Sequence, residues 1–200
     1  MSISYIESNS FQSTFRQRWN HYLVLATVLI GLFAASTLRD NALFAVTPYV
    51  NSSAGIRAFY PRNWLIDTNG DYVFRVQDAS RVGFKTAIQV SVQVISTNTT
   101  TRNLVDALTL NRSQLLAAYR ALPANNNFVL PDGTPATAVS YTYAAISSDP
   151  FLDTVPIVVK GLDVISIKRG QAVIISFLAD SNTYNDQYST FNRFLNTLEF

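Results

Sequence analysis

The longest run without a charged side chain, from Trp19 to Leu38, constrains this chain more than any other feature. Its interior consists mainly of Leu, Val, Ile, Ala and Phe. At about 1.5 Å of rise per residue, some 20 helical residues cross the roughly 30 Å hydrocarbon layer of a bilayer. The sequence therefore predicts a transmembrane helix over residues 19–38.

The charges that flank this segment predict its orientation. Arg16 and Arg18 precede the segment, whereas Arg39 follows it next to Asp40. Because positive residues stay on the cytoplasmic side, we expect residues 1–18 to form a cytoplasmic leader and the main domain to be extracytoplasmic, in the periplasm or an equivalent compartment.

Four residues of the segment are the predicted anchor and partner contacts. Trp19 and Tyr22 lie at its start, where amphipathic rings prefer the headgroup level of the membrane. Gly31 and Phe33 lie in its interior, and Gly31 opens a small-residue stretch of the kind that lets helices approach closely.

A cleaved signal peptide is the alternative interpretation of the same segment. Its apolar core would run from Tyr22 to Phe33, and Ala34-Ala35-Ser36 offers the small residues that a signal peptidase needs. The mature chain would then begin near Thr37. We favour the membrane anchor.

Composition excludes several classes of function. The chain has no cysteine, which rules out disulfides, thiolate metal sites and iron–sulfur ligation. Its single histidine, His21, lies in the apolar segment, so the rest of the chain cannot form a catalytic triad or a histidine metal site. The net charge is only +2, without the clustered basic residues of a nucleic-acid binder. We therefore expect a protein that is not an enzyme, binds no nucleic acid and carries no cofactor.

After a predicted linker over residues 39–54, the chain mixes strand and helix patterns. Six segments carry strand patterns. The first, GIRAFYPRNWLID, predicts two strands with an interruption at Pro61, and the others are DYVFRVQD, KTAIQVSVQVIS, ATAVSYTYAAIS, VPIVVKGLDVISIK and QAVIISFLA. Asn69-Gly70 and Arg169-Gly170 predict hairpin turns. Two helices are predicted from apolar residues at helical spacing: Leu104, Leu108, Leu115, Tyr119 and Leu122, ending before Pro123, and Tyr184, Tyr188, Phe191, Leu195 and Leu198. These patterns indicate an α+β fold in which helices cover an antiparallel sheet.

The order of these elements resembles the PsbP/DcrB-like superfamily over about residues 55–200. The resemblance is carried by FYPRNW, the central helix, DGTPA entering VSYTY, VKGLDVISIKRGQAVIISFLA and the terminal FNRFLNTLEF. It implies a helix–sheet–helix sandwich and a role as an accessory or stabilising subunit, as in the extrinsic subunits of photosystem II. No functional residue of that family can be matched to a position here.

One segment carries a weak calcium-binding pattern. In DTNGDYVFRVQD, the residues Asp67, Asn69, Asp71 and Asp78 occupy the first, third, fifth and twelfth places of a calcium loop. Tyr72 stands where the loop needs glycine, and the last ligand is Asp instead of Glu. A hairpin with Asn69-Gly70 at its tip explains the same residues, and we favour the hairpin.

Together these observations predict a non-catalytic, single-pass accessory subunit of a multi-subunit membrane complex. A photosynthetic or respiratory electron-transfer complex is the preferred example, by family analogy. The expected partners are the lipid bilayer and integral membrane subunits. The alternative is a free-standing, membrane-anchored binding module for a small ligand or an envelope component, which would need an apolar pocket.

Overall fold

The computed structural model describes residues 15–81, 83–146 and 155–200. The chain divides into two compact units, Met1–Ala45 and Val46–Phe200. Most of the predicted leader, residues 1–14, lies outside the described residues.

The first unit contains one long helix, α1 (Phe15–Leu43). Its 29 residues extend for about 44 Å at the usual helical rise. Within α1, Trp19–Asn41 is long and apolar enough to cross a membrane, a property that anchors and signal sequences share. The predicted helix is confirmed, whereas its insertion in a membrane stays a prediction.

The second unit is an α+β fold, as predicted. Its elements are β1 (Val46–Asn51), β2 (Ile56–Pro61), β3 (Trp64–Asp67), β4 (Phe74–Asp78), β5 (Ala87–Val94), α2 (Thr101–Leu115), β6 (Ala117–Ala121), β7 (Asn125–Val129), β8 (Pro135–Ala145), β9 (Ile157–Lys168), β10 (Gln171–Asp180) and α3 (Tyr184–Leu195). The strands β3 to β10 form an antiparallel sheet in the order β3-β4-β5-β10-β9-β8-β6, and β7 pairs with the first part of β8. The strands β1 and β2 form a separate antiparallel ribbon.

Both predicted hairpins are present. The strands β3 and β4 pair across the Asn69-Gly70 turn, and β9 and β10 pair so that Lys168 lies opposite Gln171. The two residues between them, Arg169 and Gly170, both have positive φ angles. A two-residue turn of this kind matches the twist of the strands, and glycine adopts it without a steric penalty.

The two helices of the second unit cover opposite faces of the sheet. Phe177 of β10 packs on α3, with its ring stacked on that of Phe191 at a centroid distance of 4.8 Å. Its neighbour Ser176 contacts Arg112 of α2. Because successive strand residues point to opposite faces, α2 and α3 must lie on different sides of the sheet. The main core is on the α3 side, where the inner face of the ribbon also packs.

The structure corrects the predicted end of the central helix. We expected Tyr119 and Leu122 to belong to it, but α2 ends at Leu115, and Ala117–Ala121 forms β6. The strand β6 pairs with β8, and the ring of Tyr119 packs against that of Tyr141 at 5.5 Å. Sheet pairing therefore overrides the local helical spacing.

The predicted linker, residues 39–54, also differs from the structure. Its first five residues continue α1 to Leu43, and Val46–Asn51 forms β1. The alternation in TPYVN was too short to stand out in the sequence. It becomes a strand because all six of its residues pair with β2, and the ring of Tyr49 packs on that of Phe74 at a centroid distance of 4.4 Å.

Candidate functional site

The four predicted anchor residues lie on α1 and are exposed. Trp19 is 57% exposed and Phe33 is 73% exposed, and Tyr22 is similarly exposed. A Cβ atom added at Gly31 would meet nothing within 4 Å. In the described residues of its own chain, α1 is therefore not covered along its apolar length, and no residue of the span is buried.

Two threonine hydroxyls inside the apolar segment are satisfied within the helix. The hydroxyl of Thr27 donates to the carbonyl oxygen of Leu23 at 2.9 Å. The hydroxyl of Thr37 reaches the carbonyl oxygens of Phe33 at 3.1 Å and Ala34 at 2.9 Å. These hydrogen bonds lower the free-energy cost of placing a hydroxyl in hydrocarbon, where water is absent.

The first and last of the four calcium candidates, Asp67 and Asp78, do not converge. Asp67 lies opposite Arg75 in the β3–β4 pair, whereas Asp78 lies opposite Trp64. The positions 75 and 78 differ by three residues, so Asp67 and Asp78 point to opposite faces of the sheet. A calcium loop needs its first and last ligands on one ion, and this pair cannot supply them.

The Asp67 and Asp78 carboxylates already have partners in the protein. Asp67 accepts from the hydroxyl of Tyr72 and from the backbone N–H of Asn69, and these bonds lower its pKa. Asp78 accepts from Ser80 and lies 3.6 Å from the guanidinium of Arg81. Across the described residues, no group of three or more His, Cys, Asp or Glu side chains is arranged to hold a metal ion.

A buried polar centre joins α2 to the sheet. The guanidinium of Arg112 forms two hydrogen bonds to the carboxylate of Asp163 on β9, of which the second, from Nη2 to Oδ1, measures 3.1 Å. The same Nη2 lies 3.4 Å from Oγ of Ser176. The guanidinium also stacks on the ring of Tyr141, 4.4 Å from its centroid, and the Tyr141 hydroxyl lies 3.4 Å from Oδ1 of Asp163.

The electrostatics of this centre keep Arg112 charged. Burial is the largest single influence on the guanidinium and would lower its pKa. The charge and hydrogen bonds of Asp163, together with Tyr141 and Tyr119, outweigh burial and hold that pKa above its usual range. Burial, reinforced by Asp163, raises the pKa of the Tyr141 hydroxyl well above its ordinary value. The tyrosine therefore stays neutral, and the ion pair is closed on itself. Such an arrangement positions α2 on the sheet.

Sequence reasoning missed this centre, although one signal was present. Asp163 interrupts the apolar strand VVKGLDVISI, and a charged residue inside a buried strand needs a partner. Its partner lies 51 residues away on α2, which no local pattern identifies.

The placement of the Tyr141 ring depends on a glycine, Gly161, two residues before Asp163 on β9. Gly161 lies opposite Tyr141 on β8, and the tyrosine ring covers the glycine. A Cβ atom at position 161 would overlap the ring of Tyr141, with Cζ as its closest atom. The absence of a side chain is therefore what lets Tyr141 lie flat beside the ion pair.

Two pockets flank Leu122 in the segment that connects β6 to β7. One, of about 380 Å³, lies on the α3 side and is lined by Phe128, Tyr184 and Tyr188 among others. The other, of about 420 Å³, lies on the α2 side beside Val105 and Val139. Both volumes fall in the range of small-ligand sites.

Tyr184, in the wall of the first pocket, is neutral at physiological pH. Burial, with Tyr188 adding to it, raises the pKa of its hydroxyl to about 12.

Comparison with known proteins identifies the fold. No family model matches the chain, and no curated protein sequence matches it. The solution structure of cyanobacterial PsbP (CyanoP) from Synechocystis sp. PCC 6803 is similar at a TM-score of 0.54 and 15% identity, covering 78% of this chain and 92% of that one. The chain has a PsbP-like fold. The predicted resemblance to this superfamily is confirmed for the fold.

Two further solved structures align with the PsbP-like domain. They are PA94, a protein of unknown function from Pseudomonas aeruginosa, and the Ran-binding protein Mog1p of Saccharomyces cerevisiae. PA94 aligns at a TM-score of 0.47 and 12% identity, covering 78% of this chain and 96% of that one. Mog1p aligns at 0.49 and 11%, covering 78% and 95%.

Proposed function

We propose that this protein is a single-pass, non-catalytic accessory subunit of a multi-subunit membrane complex. In this proposal α1 spans the membrane and the PsbP-like domain lies on its extracytoplasmic side. A photosynthetic or respiratory electron-transfer complex is the preferred assembly, by analogy with the photosystem subunits that share the fold.

The exposed apolar surface of α1 is the observation that carries the proposal. Large side chains such as Leu25, Ile30 and Phe33 are each more than 60% exposed, and no part of the span is buried by the described chain. A continuous apolar surface of this length is unstable in water and is covered by lipid or by other transmembrane helices. The arginines at positions 16 and 18 support a cytoplasmic N-terminus.

The character of the PsbP-like domain supports an accessory role. The Arg112–Asp163 pair, between α2 and the sheet, is closed on itself and holds α2 on the sheet. The domain has no histidine and no cysteine to act as a base or nucleophile. Its contribution to a complex would be mechanical: it would cover a flank of its partners while α1 fills a groove among their helices.

Purification from native membranes in mild detergent tests this proposal. We expect the tagged chain to retain residues 19–38 by intact mass and to co-purify with integral membrane subunits in constant stoichiometry. A mature chain that starts near Thr37 would show that the segment is a cleaved signal. A full-length chain that purifies alone would contradict the subunit role.

The substitution Gly31→Leu tests the contact predicted on α1. Because the surface at Gly31 is open within the chain, leucine leaves the helix intact but separates it from a closely packed neighbour. We expect about a tenfold loss of partner recovery, equivalent to about 1.4 kcal/mol. The volume-conserving Ile30→Leu is the matched control and leaves recovery unchanged. Equal recovery of both variants would place partner contacts elsewhere.

A free-standing binding module is the second candidate function. The pocket beside Phe128, Tyr184 and Tyr188 favours it, since aromatic walls with a few polar groups are typical of small-ligand sites. This function predicts a chain that purifies without partners and binds an aromatic or apolar ligand at that pocket. Phe128→Ala would then weaken ligand binding, whereas the accessory role predicts unchanged co-purification of partners.

A further inference from the structure

The β1–β2 ribbon has an outward face that is almost entirely apolar. In its antiparallel register, the cross-strand pairs on this face are Val46 with Pro61, Pro48 with Phe59, and Val50 with Arg57. Directly opposed residues share one face of a ribbon, so five of these six positions are apolar. Val46, Val50 and Phe59 are 53%, 57% and 37% exposed. We call these five apolar residues the ribbon face.

The ribbon is held firmly on the PsbP-like domain by its other face and its outer edge. Ile56 and Ala58 are buried in the main core. The hydroxyl of Tyr49 donates to the carbonyl oxygen of Val73 at 3.0 Å. The backbone of Arg57 pairs with that of Glu199 through hydrogen bonds of 3.0 and 2.8 Å. The ribbon face is thus the outer surface of a fixed element.

The length of chain between α1 and β1 limits how far the ribbon can be from a membrane. Only Phe44 and Ala45 separate the two elements. If Leu38 marks the edge of the hydrocarbon layer, residues 39–43 add about 7.5 Å of helix. The three backbone steps to Val46 add at most about 11 Å. Val46 therefore stays within about 19 Å of the hydrocarbon, a distance comparable to the length of the six-residue strand.

We propose that the ribbon face lies in the headgroup layer of the same bilayer that α1 spans. This inference rests on the proposed membrane anchoring. Moving the apolar side chains of the ribbon face from water to the boundary between headgroups and acyl chains would lower the free energy of the system. The exposed guanidinium groups of Arg57 and Arg62 flank the face and suit lipid phosphates. One acidic residue, Glu199, lies 3.8 Å from Arg57 and pairs with it at the rim.

Such a contact would give the anchored domain a defined orientation. A contact on the lipid surface, in addition to the anchor, would restrict rotation of the domain about the membrane normal. The surfaces away from the ribbon would then face partner subunits.

The absence of cysteine makes a direct test simple. Three full-length variants, Val50→Cys, Phe33→Cys and Val94→Cys, each carry one environment-sensitive fluorophore after labelling. They are reconstituted in vesicles of phosphatidylcholine and phosphatidylglycerol, with or without lipids that carry a nitroxide quencher. Position 33 reports on the span, position 50 on the ribbon face, and position 94 is an exposed site at the end of β5, 86% exposed.

We expect the nitroxide lipids to quench positions 50 and 33, with emission shifted to shorter wavelength at both, and to leave position 94 unchanged. Quenching at position 33 alone would overturn the ribbon contact while leaving the anchor intact. Loss of quenching at position 33 as well would overturn the anchor and the ribbon contact together. In a second test, we expect Phe59→Gln in the Val50→Cys background to reduce quenching at position 50. Unchanged quenching there would also count against the ribbon face.

Discussion

Arg112→Met is expected to lower the free energy of unfolding by about 3–5 kcal/mol, because it leaves a buried carboxylate without its partner. The side chain of Asp163 is only 3% exposed. After the substitution its nearest remaining donor is the hydroxyl of Tyr141, at 3.4 Å. Urea unfolding of the full chain in detergent measures this loss, followed by tryptophan fluorescence in a Trp19→Phe background in which the buried Trp64 is the only tryptophan.

Arg102→Met is the matched control on the same helix. Arg102 pairs with Asp106 at 4.0 Å, but its side chain is 90% exposed, and water screens the pair. We expect a change of less than about 0.5 kcal/mol. Similar losses for the two variants would mean that the position in α2, and not burial of the charge, controls the effect.

The double variant Arg112→Met/Asp163→Leu separates charge burial from lost packing. Replacing both members of a buried ion pair by apolar residues is often neutral, because the cost of removing two charges from water disappears with them. We therefore expect the double variant to regain most of the stability that Arg112→Met loses. A double variant as unstable as the single one would show that the pair also fixes the packing of α2 against Tyr141.

Phe177→Ala is the second substitution with a large expected effect. Phe177 is fully buried, and its ring contacts those of Tyr184, Tyr188 and Phe191. Alanine would leave a cavity between β10 and α3 that close-packed neighbours cannot fill, so we expect a loss of about 3–5 kcal/mol. Thermal or urea unfolding measures it.

Leu65→Ala is the control for this prediction. Leu65 lies on the edge strand β3 and is 56% exposed, so its truncation removes little buried surface. We expect a change within about 0.5 kcal/mol. If Phe177→Ala cost no more than this control, α3 would not depend on its aromatic contacts with the sheet.

Local patterns in the sequence were sufficient for the elements whose signals are short-range. Asn69-Gly70 and Arg169-Gly170 predicted two hairpins, because the turn residues and the flanking alternation lie within a few positions of one another. The helical spacing of apolar residues predicted the terminal helix, α3, and Tyr184, Phe191 and Leu195 are buried as expected. The order of these elements was enough to identify a PsbP-like fold at 15% identity.

The features that the sequence did not predict depend on contacts between residues that are far apart in the chain. The central helix ends at Leu115 because β6 pairs with β8, and that pairing is invisible in the local spacing. The sequence showed that Asp163 lies in an apolar strand, but it did not show that Arg112 is its partner.

The sequence by itself determined an apolar helix with an uncharged interior, the strands β2 to β5 and β8 to β10, and the hairpin turns, since each depends on the hydrophobic period and turn chemistry of neighbouring residues. Only the tertiary structure decided which residues meet: the ion pair beneath α2, the separation of Asp67 from Asp78, and the apolar outer face of the β1–β2 ribbon. These follow from strand register and from burial, which arise when distant segments pack and which a single segment does not encode.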